Sequence, residues 1–291
     1  MRSVENNITV PGVEWKGIVN CNTLSDEYRE SVASLSEAFP TWDFHATVSN
    51  GKPGKGKNAS LDLFNEHYQE YDYLLLMDGD DFLYPCALQH INRVVSRTKC
   101  DVLGLQTNDI LDKLVYPNTS KIDLMLGEEF VHLYSWFERQ YNIYSLPEQR
   151  YRVDRVNQKL GTHSTPDRII LFTHRAATLL HCSEQLPVYE DYILSLNAQA
   201  AYVRGQLSYF NTSSTCIYIY DKTGETSTCK QYDKDVKGDW AAHDQMFKDE
   251  IAHLDTLLGD FQAAEVPFIY IPSEGWELPH IKAQYIASAY K

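Results

Sequence analysis

An α/β protein with a mostly parallel sheet wound by helices is what this sequence predicts, and three observations carry that expectation. Apolar runs of strand length alternate with amphipathic segments of helix length from residue 15 to residue 107. The most apolar run, Tyr73-Leu74-Leu75-Leu76-Met77, has no charged member, the pattern of a strand covered on both faces. It runs into Asp78-Gly79-Asp80-Asp81, three carboxylates within four residues. The carboxyl ends of strands are where open α/β sheets hold ligands.

The elements follow in order. Trp15 to Cys21 reads as the first strand. Ser25 caps a helix running to about Phe39, with Asp26 and Glu27 favourable in its first turn and Pro40 as its stop. Asp43 to Val48 is a second strand. Ser49 to Lys57 is a glycine- and lysine-rich loop, and Asn58 to Tyr71 an amphipathic helix with Leu61, Phe64 and Tyr68 near helical spacing. The apolar run is the third strand. Pro85 opens a helix to about Arg97, and Asp101 to Thr107 is a fourth strand. Residues 108–167 break the rhythm and read as an aromatic-rich helical or irregular insertion. Arg168 to Thr173 resumes as a strand, followed by a helix from about Arg175. Pro187 to Ala201 reads as a turn and helix, and Leu207 to Tyr220 as one or two strands. Asp239 to Leu258 is helical, and a short strand and last helix follow from Val266. With no evident linker, residues 1–291 read as one domain, with a core over about 15–228 and a helical C-terminal extension over about 229–291.

Composition narrows the function. The formal net charge is -14, with 40 acids against 26 Lys and Arg, which argues against nucleic acid or an anionic membrane as main partner. The six cysteines form no CxxC and no Cys/His cluster, so a zinc site is not expected. Met1 to Pro11 has no apolar core of a signal peptide, and no run approaches membrane-spanning length. A cytoplasmic protein without a membrane span is the expectation.

The acids after the third strand point to chemistry. Carboxylates so close repel one another unless a cation joins them. Mg²⁺ and Mn²⁺ prefer oxygen ligands and usually bridge to substrate phosphates. The stretch therefore suggests a metal-diphosphate site. An EF-hand fails on spacing, because Phe82 and Leu83 stand where a ligand and a glycine are required. Lys52, Lys55 and Lys57, interleaved with glycines, suit an anion-binding loop at a helix N-terminus, although the spacing is not that of a Walker A loop.

The block GKGKNASLDLFNEHYQEYDYLLLMDGDDFLYPCAL resembles the central block of family 2 glycosyltransferases with the GT-A fold. The likeness continues into PVYEDYILSLNAQAAY, similar to the Glu-Asp motif of that family, and into YIYDKTGETST, and covers roughly residues 15–228. The resemblance implies a metal-dependent, inverting transferase that uses a nucleotide-diphosphate sugar and a carbohydrate or other hydroxyl acceptor. Position by position, it implies that Asp80 binds Mn²⁺ or Mg²⁺ directly. Asp78 would contact the ribose or the metal through water, and Asp81 could do either. Lys57 and Asn58 match the pair near the nucleotide-sugar. Glu190 and Asp191 match the Glu-Asp pair, with Asp191 the favoured base and Glu190 the second choice. Asn20 and Asn50, at the ends of the first two strands, stand where the base is contacted; an Asp commonly ends the second strand in the family. His243, beside Asp244, and His280 are candidates for a late metal histidine. The QxxRW motif of processive synthases is missing.

Two other readings fit parts of the pattern. A nucleotidyltransferase shares the wound sheet and metal acids but would usually carry a basic glycine-rich loop after the first strand, which Asn20 to Ser25 lacks. A non-catalytic nucleotide- or sugar-binding module would have no need of Asp78, Asp80 and Asp191 together.

Overall fold

A computed structural model of the chain describes residues 1–105 except 6, 8 and 85, then 109–114, 141–145, 168–212, 217–221, 228–237, 241–258, 266, 267 and 269. The protein is α/β, with parallel strands flanked by helices, as its alternating pattern requires.

After a short helix α1 (Arg2–Glu5), β1 (Ile18–Asn22) and β2 (Asp43–Thr47) form a parallel pair. The connecting helix α2 (Asp26–Ser34) is capped by Ser25, whose hydroxyl accepts from Tyr28 N at 3.1 Å. The next helix, α3 (Pro53–His67), begins more than a turn before the expected Asn58. Gly54 and Gly56 are poor helix formers, which is why the stretch reads as a loop. Pro53, however, pre-sets the backbone of a first helical turn. Lys55 and Lys57 are thus helix residues rather than members of an open loop.

The apolar run contributes only a two-residue strand, β3 (Leu74–Leu75), with Leu76 N donating to Ile170 O at 2.8 Å just beyond it. Its alternation does what the sequence demands. Tyr73, Leu75 and Met77 pack on one hydrophobic cluster, and Leu74 and Leu76 on the other. The run separates the two cores, with Leu103 and Ile170 among the buried residues of one and Phe64, Phe172 and Tyr209 of the other. Phe64 stacks on His174 with ring centroids 3.9 Å apart.

Downstream come β4 (Phe82–Leu83), α4 (Ala87–Thr98), β5 (Val102–Leu105), β6 (Asp109–Leu114), β7 (Tyr141–Ser145), β8 (Arg168–Phe172) and α5 (His174–Leu179). They are followed by α6 (Glu190–Val203), β9 (Tyr209–Thr212), β10 (Tyr218–Asp221), α7 (Thr228–Val236) and α8 (Ala241–Leu258). One sheet has the order β3-β8-β5-β9 and another β4-β10-β6-β7. Pairing is mixed: β5 runs parallel to β9 and β10 to β6, whereas β8 is antiparallel to both β3 and β5. In the segment expected to be helical or irregular, β6 and β7 are antiparallel partners. The residues between them lie outside the described residues, as do the expected last helix and His280. No described helix is long and apolar enough to cross a membrane.

What positions the site is the docking of α3 on the segment before α6. A Cβ at Gly54 would stand 1.9 Å from Ser183 O. Asn58 locks the same contact, accepting from Cys182 N at 2.8 Å and donating to Cys182 O at 3.1 Å. Gly54→Ala should therefore lower stability by about 1–3 kcal/mol through overpacking. Helix propensity alone would favour alanine by about 1 kcal/mol, so the sign of the change in denaturant midpoint checks the close approach.

Candidate functional site

The acidic turn leaves the end of the apolar run and closes on itself, with Asp81 N donating to Asp78 O at 3.1 Å. Its carboxylates have different surroundings. Asp80 is exposed, Asp78 is half-buried and Asp81 is buried. Arg168, the first residue of β8, bridges two of them. Its Nη1 is 2.7 Å from Asp81 Oδ2 and its Nη2 is 3.1 Å from Asp78 Oδ2. Tyr218 Oη donates to Asp81 Oδ2 and accepts from Asp78 N at 3.3 Å. The guanidinium lies 4.9 Å from the ring centroid of Tyr218 and 4.6 Å from that of Tyr220, within cation–π range.

The second pair of acids enters from α6. Tyr189, just before the helix, has φ 65°, in the left-handed region that side chains other than glycine rarely adopt. After this turn Glu190 is buried and Asp191 lines the cleft. Lys57 Nζ joins the two halves, 2.7 Å from Glu190 Oε1 and 3.5 Å from Asp78 Oδ1. Lys57, Asp78, Arg168, Asp191 and Tyr218 line one cleft, with Leu76 and Leu194 among its apolar wall.

Charge states follow from this arrangement. Burial works against the Lys57 ammonium, but Asp78, Glu190 and Asp191 outweigh it and hold its pKa well above the ordinary value. Burial likewise opposes ionised Asp78, and Lys57 and Arg168 reverse the direction, so its carboxyl titrates below the usual range. The Asp78 side chain keeps 34% exposure, so solvent screens part of that attraction. Glu190 goes the other way. Burial pushes its carboxyl up, Lys57 pulls against it, and Asp191 adds repulsion.

The remaining sequence candidates have structural partners. Asn20 accepts from Thr47 Oγ1 at 2.7 Å and donates to Gly56 O and Ser60 Oγ, both at 3.0 Å, tying β1 to β2 and α3. Asn50 donates to Glu184 O at 3.0 Å and accepts from Lys52 N. Asn58 also donates to Glu184 Oε1 at 3.0 Å. His243, on α8, places Nε2 3.1 Å from Val188 O and lies against the rings of Tyr189 and Tyr232. It thus adjoins the turn that delivers Glu190. Among the described residues, no group of three or more His, Cys, Asp and Glu side chains is arranged to hold a metal ion.

Arg168 and Tyr218 are the site residues that the sequence reading missed. The local signal was slight: a lone arginine opens the otherwise apolar RIILF, and one tyrosine stands among many.

No known protein family and no curated protein matches the chain. Among solved structures, it is similar to S. aureus TarS. Against residues 1–349 of TarS the TM-score is 0.42 at 14% identity, covering 88% of this chain and 66% of that one. A second TarS structure gives 0.41 at 14% identity, with 89% and 40% covered. The chain therefore spans 66% and 40% of these two chains, less than two thirds of either, and a likeness of this degree assigns no activity.

The Lys57–Glu190 pair carries a stability prediction. Lys57→Met leaves a buried carboxylate without its cation, and breaking such a pair costs roughly 3 kcal/mol or more. Because the folded-state pKa of Glu190 is raised above its ordinary 4.5, the folded protein holds that proton more tightly than the unfolded chain. The contribution is complete below 4.5 and is lost as pH rises through the raised value. Lys57→Met raises the folded value further, so its penalty should be small in acid and grow toward neutral pH. Adding Glu190→Gln should remove most of that pH dependence. Urea titrations at pH values on both sides of the window check this.

Proposed function

We propose that the protein is a glycosyltransferase of the GT-A kind. It would move one sugar from a nucleotide-diphosphate sugar to an acceptor hydroxyl, with inversion at the anomeric carbon and with Mn²⁺ or Mg²⁺. The observation that carries this reading is the meeting of two distant acidic motifs in one cleft. Asp78, from the turn after the apolar run, and Asp191, at the start of α6, line it together with the cations of Lys57 and Arg168. The sequence resemblance pairs the same two motifs.

The chemistry of the donor set fits a metal completed by substrate. Asp81 is buried under Arg168 and Tyr218, whereas Asp78, though it meets Lys57 and Arg168, lines the cleft; with the exposed Asp80 it would hold the ion. A small divalent ion bound by one or two carboxylates and a diphosphate is the usual arrangement. Such an ion would offset the charge that develops on the departing diphosphate.

The residues of the chain divide the remaining work. Lys57 and Arg168 keep positive charge beside Asp78, so that the cleft accepts an anionic diphosphate despite the acidity of the protein. Glu190, buried and held by Lys57, is poorly placed to take a proton from an acceptor. Asp191 lines the cleft and is the better base. As the acceptor oxygen bonds to the anomeric carbon, its proton passes to the Asp191 carboxylate and the bond to the diphosphate breaks. The exposed position of Asp80, beside this cleft in sequence but outside the Arg168 bridge, suits the direct metal role.

Two variants test the reading. Asp191→Asn should bind nucleoside diphosphate and Mn²⁺ nearly as wild type does, while transfer falls by roughly 10²-fold or more, the scale of a lost positioned base. Loss of transfer in Glu190→Gln but not in Asp191→Asn would move the base by one residue. Asp80→Asn should abolish the Mn²⁺-dependent rise in melting temperature given by the cognate nucleoside diphosphate. An unchanged rise in that variant would sink the metal assignment.

A further inference from the structure

We infer that Arg168 is a positioning residue for the acidic turn: by bridging Asp78 and Asp81 it fixes the turn in the form that receives a diphosphate. This rests on the reading of the cleft as a nucleotide-diphosphate sugar site. The geometry is specific. The two terminal nitrogens of one guanidinium reach two carboxylates of the turn at 2.7 and 3.1 Å, a task for which its rigid planar fork is suited. The fork is itself held. Tyr218 and Tyr220 on β10 flank it, and the Tyr218 hydroxyl bonds to both the Asp81 carboxylate and the Asp78 amide. Arg168 opens β8, which pairs with β3 immediately before the turn and with β5 on its other side. The brace is thus anchored in the sheet rather than in a loop. Its side chain is 14% exposed, and its two contacts take one oxygen of Asp81 and one of Asp78. Asp81, buried and held by both Arg168 and Tyr218, therefore serves as the anchor of the turn, while Asp78 lines the cleft.

Arg168→Lys keeps the charge but cannot bridge two carboxylates with a fixed fork. Tyr218→Phe keeps the ring and removes only the hydroxyl, and serves if the lysine variant folds poorly. Amide hydrogen exchange over residues 78–84 of the full chain, without ligand, should be at least tenfold faster in Arg168→Lys and less so in Tyr218→Phe. The common nucleoside diphosphates, each with Mn²⁺, give the second readout. The one that binds wild type should bind Arg168→Lys at least tenfold more weakly. Combining Arg168→Lys with Asp81→Asn should cost less than the product of the two single effects, because arginine acts through that carboxylate. Unchanged exchange overturns the inference whatever binds. Faster exchange with unchanged affinity also overturns it, since Arg168 then only braces the fold. Fully multiplicative effects overturn it too, since they make Arg168 a direct ligand contact. Wild-type protein that binds none of the nucleoside diphosphates sinks the proposed function instead, and the exchange measurement still decides whether Arg168 holds the turn.

Discussion

A single ammonium group sits where three segments meet. Lys57 on α3 reaches Glu190 on α6 and Asp78 on the acidic turn. Burying a carboxylate as deeply as Glu190 costs several kcal/mol unless a cation accompanies it. The two helices must therefore dock closely enough for a lysine side chain to span the gap. That closeness explains the glycine at 54, the amide clamp of Asn58 and the ion pair of Lys55 with Glu184. Each is a local feature whose reason lies in keeping Lys57 within reach of both acids.

Lys57 and Arg168 divide the acids between them. Lys57 contacts Asp78 and Glu190, while Arg168 contacts Asp78 and Asp81. Asp78 belongs to both pairs, which holds it ionised. A cleft without cations in a protein of net charge -14 would repel an anionic ligand. Two cations at the point where the strand ends offset part of that field. The acids and cations are close enough that neither set can be understood alone.

The sequence made much of this legible, and the failures have physical causes. Alternating strand and helix patterns located β1, β2, α4, β5, β8 and α6 within a few residues; β5 and β8 are short apolar runs buried almost throughout, a pattern legible without periodicity. The start of α3 was hidden because its glycines lower helix propensity, while Gly54 serves a close approach to Ser183, more than a hundred positions away, and Gly56 one to Asn22. The acidic turn was visible and Lys57 was singled out as an anion contact, but the pairing of the acids with protein cations was not: the three acids suggested only a metal. Arg168 supplies part of that charge from a distant strand, and no local pattern reports such a pairing. Asn20 stands in the middle of β1 and Asn50 three residues past β2 rather than at the strand ends, and their amides hold backbone and side chains together in this structure. Strand-end position alone does not distinguish a ligand contact from a structural clamp.

The spacing of the pairs that close the cleft has a consequence for how the chain folds. Arg168 is 90 residues from Asp78, Lys57 is 133 from Glu190, and Tyr218 is 137 from Asp81. Loop-closure entropy must be met before any of these contacts forms, and topologies dominated by such contacts fold slowly. A chain emerging from synthesis displays its acidic turn well before Arg168 exists to brace it. During that interval the turn is a flexible anionic segment with none of the geometry it has in the folded protein. A chain halted short of β8 carries Asp78, Asp80 and Asp81 but neither Arg168 nor the Glu190–Asp191 pair, and so lacks the cleft.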